Sequence, residues 1–269
     1  MNDKEQRGRI ETILANEIFK RLAGNFTLYQ NIITSKSSED EKKIVRERME
    51  TIYAFQNATG IADSQLSHAE EWRRLLEKML SECENGNFTE ERFAENIAGS
   101  VIGELLIKEA QITRKSSNKP VDKILDGVET QSVTVNEVVF FNFNLNSNTI
   151  EINISPTTLK GSETIIKKIM EGFGIIAKEL SKKGSSLENV EQIKMTSWLL
   201  GPGFDDKIRA FFGNDIQLED VTEDSAGDVK KIALKYNRRS LENFLNEGKE
   251  PEIRRLVMTK ADFIKKFGS

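Results

Sequence analysis

Apolar side chains in the first 119 residues recur every three or four positions, the spacing of helices that bury one face. The pattern predicts four helices, of which the first ends at Gly24. The second and third begin with capping boxes, in which a serine and a glutamate three positions later bond to the backbone. These boxes are Ser38 with Glu41 and Ser67 with Glu70. Together the stripes predict a small antiparallel helical bundle.

The fourth predicted helix, capped by Thr89, carries the most regular stripe. Four of its apolar residues stand four positions apart, namely Phe93, Ile97, Val101 and Leu105. Because side chains at this spacing lie on one side of a helix, all four are expected to be buried. An acidic side chain at position 101 is therefore expected to destabilise the bundle.

The pattern changes to alternation after residue 130. Residues 131–144 are rich in valine and phenylalanine, and residues 149–155 alternate strictly between apolar and polar. A polar turn at 145–148 separates them, so the pair predicts a β-hairpin whose second strand turns its isoleucines to the core. The later pattern predicts a helix over 162–183, a strand over 191–200, a helix over 205–212, strands over 216–221 and 231–236, and helices over 240–246 and 260–267.

The division between the two halves falls near residue 120. All four prolines lie at or beyond Pro120, and a polar stretch precedes it. We therefore expect an α+β protein with a helical bundle over 1–119 and a mixed-sheet α/β domain over 120–269. Within the long helix of that domain, Gly172 and Gly174 predict close packing on the sheet, with a ligand approaching the helix as the alternative.

Composition excludes several classes of protein. The formal net charge is −4 and neither half is basic, so no nucleic acid is expected as a partner. No apolar run approaches the roughly 20 residues of a membrane span, and no secretory signal is seen, so a cytoplasmic protein without a membrane partner is expected. A single cysteine, Cys83, and a single histidine, His68, argue against a disulfide, a metal site and a Ser-His-Asp triad.

The segment from the second hairpin strand to the long helix is the most informative one for function. After Pro156 the chain forms a turn that enters the helix, with Leu159, Lys160, Gly161 and Ser162 at its start. A helix N-terminus offers unpaired N–H groups and a positive dipole end, so this turn is a candidate phosphate site. The simpler interpretation is that Gly161 and Ser162 only cap the helix.

This order of elements resembles the GNAT (N-acyltransferase) superfamily over about residues 131–240. In that family a strand is followed by a proline, then by a basic, glycine-rich turn that enters a helix. The next strand, a short helix and two final strands complete its sheet. The resemblance implies that the turn binds the pyrophosphate of acetyl-CoA or another acyl-CoA through Leu159, Lys160, Gly161 and Ser162. It also implies that residues 150–155 and 194–198 are parallel neighbours that separate to leave a cleft.

An acyl transfer to an amine needs a base and a proton donor for the leaving thiolate. Glu151 on the strand before the turn is the candidate base, and Tyr236 is the candidate donor. Each has a plainer interpretation, as an exposed strand carboxylate and as a half-buried packing residue. The expected function is an acyl-CoA-binding domain, either active on a small-molecule or peptide amine or degenerate. The alternative is a scaffold protein that binds a protein partner through its bundle.

Overall fold

The computed structural model describes residues 17–54, 68–98, 100–103, 130–136, 138–144, 148–154, 162–197, 200–201, 205–214, 216–221 and 223–268. The chain forms two compact units. The helical unit comprises Met1–Ile112 and Lys230–Pro251, and the sheet unit comprises Thr113–Val229 and Glu252–Ser269. The segment Lys230–Pro251, expected in the second domain, thus belongs to the helical unit.

In chain order the elements are α1 Glu17–Ser35, α2 Glu39–Ile52, α3 Ala69–Glu84, α4 Glu90–Ala98, β1 Thr130–Thr134, β2 Val139–Asn144, β3 Thr149–Ile154, α5 Ser162–Ser181, β4 Gln192–Ser197, α6 Asp205–Phe212, β5 Gln217–Asp220, α7 Glu223–Tyr236, α8 Arg238–Glu247, β6 Arg254–Thr259 and α9 Lys260–Phe267. Mixed α+β architecture is therefore confirmed. None of the described helices has both the length and the apolar composition needed to cross a bilayer.

The described part of the first 103 residues is helical, as predicted. The predicted stop at Gly24 is wrong, because α1 runs on to Ser35 and buries Phe26, Tyr29 and Ile33 beyond the glycine. The capping box at Ser38 is confirmed: its hydroxyl accepts from the Glu41 N–H at 3.2 Å. α3 instead has His68 at its N-cap, without a side-chain capping bond, and Ser67 lies outside the described residues.

The stripe on the fourth helix is interrupted. Phe93 and Ile97 are buried as predicted, but Val101 is 39% exposed, and Leu105 lies outside the described residues. α4 ends at Ala98, and helical backbone resumes at residues 101–103 after a bend at Ser100. The bend shifts the helical phase by one position, so Ile102 takes the buried place at 0% exposure.

Acidic substitutions at these adjacent positions are expected to differ sharply in effect. Ile102→Asp places an unpaired carboxylate in the core and is expected to cost several kcal/mol, on the order of 3–5. Val101→Asp leaves the carboxylate at the surface and is expected to stay within about 0.5 kcal/mol of wild type. Chemical denaturation of both variants measures the difference. Equal denaturation midpoints for the two variants would show that the helical phase does not shift between Ile97 and Ile102.

The sheet unit contains a six-stranded sheet in the order β1-β2-β3-β4-β6-β5. β2 and β3 form the predicted hairpin, with Phe141 opposite Ile152. The expected single strand over 131–144 is two strands, β1 and β2, which pair antiparallel. Asn136 makes the turn between them, because its Oδ1 accepts from the N–H groups of Val138 and Val139 at 2.9 and 2.8 Å.

Two predictions for the last third of the chain are wrong. Residues 231–236 form the end of helix α7 instead of a strand. β6, which was not predicted, lies between β4 and β5 and pairs antiparallel with both. The sheet is therefore completed by a strand near the end of the chain.

Helices α5 and α9 pack together, and both contact the sheet. Phe173 of α5 is the centre of the core, with its ring 5.1 Å from that of Phe267 and 5.6 Å from that of Phe263. The predicted close packing is confirmed at Gly172, where a Cβ atom would lie 2.7 Å from Val139 Cγ2. Around Gly174 the nearest atom to a Cβ would be the Phe267 carbonyl oxygen at 3.5 Å.

The two glycines are therefore expected to respond in opposite ways to alanine. Gly172→Ala forces Val139 or the helix to move and is expected to destabilise the protein by about 1–3 kcal/mol. Gly174→Ala meets ordinary contacts and is expected to stabilise it by up to about 1 kcal/mol through helix propensity. Thermal unfolding of the two variants tests this contrast. A stabilised Gly172→Ala protein would show that α5 does not approach β2 so closely.

Candidate functional site

The parallel strands β3 and β4 are the centre of the candidate site. Their pairing runs from Thr149 opposite Gln192 to Ile152 opposite Met195. β3 continues to Ile154 and β4 to Ser197, and β4 pairs with β6 as far as Ser197. Over their last two residues β3 and β4 are thus not paired with each other. The remaining neighbouring strands of the described sheet are antiparallel.

Helix α5 connects these two strands. A helix that joins parallel neighbours runs back along the sheet, so it begins at the end where the strands finish. The N-terminus of α5 therefore belongs to the same end of the sheet as the point where β3 and β4 cease to pair. Ser162 is the first residue of α5. The other predicted cofactor-binding residues, Leu159, Lys160 and Gly161, lie outside the described residues, and their role stays a prediction.

Glu151 is held by a short chain of hydrogen bonds across three strands. Thr196 Oγ1 on β4 donates to Glu151 Oε1 on β3 at 3.1 Å. Arg255 Nε on β6 donates in turn to Thr196 Oγ1 at 3.2 Å. All three side chains are half-buried. Glu151 is therefore neither a fully exposed strand carboxylate nor a buried ion.

Strand alternation separates this polar group from the apolar core. Ile150 and Ile152 are buried on one face, so Glu151 between them lies on the other face. Lys194 is the pairing partner of Glu151, and Glu219 is the pairing partner of Arg255. Two carboxylates and two cations thus share this face of β3, β4, β6 and β5. Such a face can take a proton from an amine and stabilise charge on a bound substrate.

Sequence reasoning missed Thr196 and Arg255. The alternation of β4, with Ile193 and Met195 buried, would have placed Thr196 on the polar face beside Glu151. No comparable signal was available for Arg255, because its strand was not recognised. Tyr236, the predicted proton donor, ends helix α7 in the helical unit. The strand predicted to carry it is wrong, and the catalytic role of its hydroxyl stays a prediction.

The cysteine thiol and the side chains that could bind a metal are the other candidate reactive groups. Cys83 is fully buried, and burial, followed by the charges of Glu82 and Glu84, raises the pKa of its thiol. It is therefore an inert core thiol. Among the described residues no group of three or more histidine, cysteine, aspartate or glutamate side chains has the arrangement of a metal site.

Comparison of the chain with protein-family models, with curated proteins and with solved structures finds no match.

Proposed function

We propose that the sheet unit binds an acyl-CoA thioester and transfers its acyl group to an amine. The observation that carries the proposal is the parallel pair β3 and β4, whose pairing ends two residues before either strand does. The resemblance to the GNAT superfamily predicts such a pair, with a cleft at its end and a helix N-terminus beside it. Of the two final strands that the resemblance implies, β5 is present, whereas residues 231–236 are helical, and the strand that pairs with β5 is β6, outside the span of the resemblance.

In this proposal the backbone N–H groups at the start of α5 hold the pyrophosphate, and Lys160 adds a positive charge. The amine attacks the thioester carbonyl, a C–N bond forms and the C–S bond breaks. Glu151 takes the proton that the amine nitrogen loses, and the leaving thiolate takes a proton from water. The products are an amide and free CoA. Thr196 holds Glu151 Oε1 in place, and Arg255 holds Thr196.

Calorimetric titration of acetyl-CoA and of free CoA tests the binding step. Gly161→Asp adds bulk and negative charge where the phosphate approaches, and binding is expected to fall at least tenfold, about 1.4 kcal/mol. Lys160→Ala is expected to weaken binding less, because salt screens a partly exposed charge. Absence of heat and of thermal stabilisation with wild type at millimolar ligand would remove the acyl-CoA proposal. The scaffold alternative would then lead.

Release of free thiol from acetyl-CoA in the presence of amines tests the transfer step. Glu151→Gln is expected to retain CoA binding and to lose transfer by at least about a hundredfold, as removal of a general base does. Glu219→Gln is the matched control, since it removes a carboxylate from the same face without touching Glu151. Equal rates for both variants would contradict the role of Glu151. Binding without transfer in wild type would identify a degenerate domain.

The hydroxyl of Thr196 has its own test. Thr196→Val keeps the shape of the side chain but removes its hydrogen bond to Glu151, and kcat is expected to fall about tenfold with little change in KM for acyl-CoA. Thr196→Ser keeps the hydroxyl and is expected to retain most of the rate. If valine and serine variants are equally slow, the hydrogen bond is not what matters at this position.

A further inference from the structure

Two cations on the polar face of the sheet, Lys194 of β4 and Arg255 of β6, have no acidic partner. Neither lies at ion-pair distance from a carboxylate in the part of the chain that the structure describes. Arg255 uses its Nε to donate to Thr196 Oγ1 at 3.2 Å, which leaves its two terminal nitrogens for another acceptor. Both cations are half-buried. Because a charge withdrawn from water gains from a partner, two such cations favour a bound anion.

The register of the sheet brings these cations together. Lys194 pairs with Val257 and Thr196 pairs with Arg255, so Lys194 and Arg255 are diagonal neighbours on one face. Diagonal neighbours lie about 7–8 Å apart at the backbone, within reach of two long side chains. A guanidinium presents its N–H groups in a planar fork that matches a carboxylate, and an ammonium adds a point charge. The pair therefore suits a carboxylate group.

The two carboxylates of this face do not neutralise the cations. Glu151 is opposite Lys194 in the register of β3 and β4, and Glu219 is opposite Arg255 in that of β5 and β6. Within the described ranges, however, no cation lies at ion-pair distance from either carboxylate. The face is thus balanced in charge, but its opposite charges are not joined. A zwitterion, which carries an ammonium and a carboxylate close together, can pair with both kinds of group.

Thr196 sets the distance between the two kinds of charge. Its hydroxyl oxygen lies 3.1 Å from Glu151 Oε1 and 3.2 Å from Arg255 Nε, so the carboxylate and the guanidinium flank one hydroxyl group. In an α-amino acid only the Cα atom separates the nitrogen from the carboxyl carbon, through two bonds of about 1.5 Å each. A ligand of this size reaches both sides of the hydroxyl at once.

We infer that this face binds a free α-amino acid as the acyl acceptor. Its amino group bonds to Glu151, and its carboxylate is held by Arg255 and Lys194. The inference rests on the proposed acyl transfer and narrows the acceptor from amines in general to amines with an adjacent carboxylate. An amino acid amide or a peptide N-terminus offers an uncharged carbonyl instead. Such an acceptor is rejected, because it leaves both cations unpaired.

Four acid–amide pairs test the inference on the full chain: leucine, phenylalanine, glutamate and lysine, each beside its α-carboxamide. Thiol release from acetyl-CoA measures transfer. In every pair that is acylated, the acid is expected to have a kcat/KM at least about tenfold above that of the amide, mainly through a lower KM. The amide has more neutral amine at a given pH, so its intrinsic reactivity works against this result.

Binding of the same eight compounds is measured by calorimetric titration, with and without free CoA. The acids are expected to bind, and the amides to bind at least about tenfold more weakly, which corresponds to about 1.4 kcal/mol. This readout needs neither turnover nor bound acyl-CoA. It therefore distinguishes failure of the amino acid site from failure of the proposed acyl transfer.

Variants of Lys194 identify the carboxylate-binding charge. Lys194→Gln is expected to raise KM for the acids about fivefold, which corresponds to about 1 kcal/mol, and to leave the amides unchanged. Lys194→Arg keeps the charge and is expected to retain most of the preference for acids. The matched control, Lys178→Gln, makes the same charge change at an exposed residue of α5 and is expected to alter neither class.

Arg255→Gln is expected to act on two quantities at once. It lowers kcat for acids and amides alike, because Thr196 loses the side chain that holds it. It also reduces the preference for acids, because a carboxylate-binding cation is gone. A merely structural role of Arg255 would lower both rates and leave the preference as in wild type, contrary to the inference.

Three results would overturn the inference. The first is equal kcat/KM and equal affinity for acids and amides, which would leave acyl transfer itself standing. The second is no saturable binding of any of the four acids up to about 10 mM, well above the dissociation constant of a genuine site. The third is an equal effect of Lys194→Gln and Lys178→Gln, which would show a general influence of net charge. Binding of the acids without binding of acetyl-CoA or CoA would uphold the amino acid site and remove acyl transfer.

Discussion

A fragment that ends at residue 119 is expected to remain largely unfolded, although it contains all four helices of the predicted bundle. Its core is incomplete, because the buried cluster of the helical unit includes Leu234, Leu241 and Leu245 from α7 and α8. Leu241 and Leu245 are both fully buried. α8 contacts both α1 and α2, so its removal uncovers two helices of the fragment.

The size of this effect follows from ordinary burial energies. Loss of a buried leucine side chain costs about 2–5 kcal/mol, so the three together approach the roughly 5–15 kcal/mol that a whole domain has. Two long-range hydrogen bonds are lost as well. Asn25 Nδ2 donates to the Lys235 carbonyl oxygen, and an Arg48 guanidinium nitrogen donates to the Leu245 carbonyl oxygen, each at 2.8 Å.

Circular dichroism during thermal unfolding measures this prediction. The matched control joins residues 1–112 through a flexible glycine-serine linker to residues 230–251, which restores the helical unit as the structure defines it. The fusion is expected to unfold cooperatively, and the 1–119 fragment is expected to show a broad, low-amplitude transition. Cooperative unfolding of both at the same temperature would show that α8 is dispensable.

The free energy of unfolding is expected to fall steeply as the pH rises above 9. Burial raises the pKa of the Cys83 thiol from its ordinary value of 9.0. Burial, and then the hydrogen bond to the Glu84 carboxylate, raises the pKa of Tyr29 from its ordinary value of 10.0. Both groups stay protonated in the folded state while the unfolded chain loses their protons. Their contribution is therefore complete below these ordinary values and is lost as the pH rises.

Linkage gives the slope of the loss. Each group lowers the free energy of unfolding by about 1.4 kcal/mol per pH unit once the pH exceeds its unfolded pKa. Between pH 9 and 11 the two together are expected to remove about 4 kcal/mol. Urea unfolding at half-unit steps of pH measures the curve of unfolding free energy against pH.

Two variants separate the contributions of these groups. Cys83→Ala is expected to flatten the curve from pH 9 upward, and Tyr29→Phe only from pH 10 upward. Lysine titration affects all three proteins alike, so the differences between curves isolate the two side chains. Curves that remain parallel to wild type would contradict the assignment.

Local patterns predicted the elements whose neighbours in space are also their neighbours in sequence. The β2–β3 hairpin, α5 and the capped start of α2 follow from alternation, helical spacing and a capping box. Glu151 could also be placed on the polar face, because Ile150 and Ile152 mark the apolar one. The hydrogen bond from Thr196 could not be predicted, because it depends on β3 and β4 being neighbours.

The failures are places where tertiary packing outweighs the local signal. Ile232, Leu234 and Tyr236 alternate like a strand, yet in the folded chain Ala233 and Leu234 are both buried while Ile232 is 40% exposed, so the alternation does not mark the buried face. In β6 the two arginines obscure the alternation of Leu256 and Met258, the buried residues that fit the strand between β4 and β5. Arg255 was therefore not predicted as a member of the polar face. Its hydrogen bond to Thr196, and thus the complete chain of hydrogen bonds to Glu151, could not be predicted either.

The position of β6 has a consequence for how the protein is made. β4 and β5 each pair with β6, so both keep an open edge until the chain has been synthesised as far as Thr259. The helical unit likewise waits for residues 230–251. Nascent chains on the ribosome therefore expose unpaired strand edges and unfilled apolar surface until these residues have emerged, the state in which chains aggregate and chaperones bind. Folding of both units is thus delayed until residues 230–259 have been synthesised, and premature termination shortly before β6 leaves both edges open.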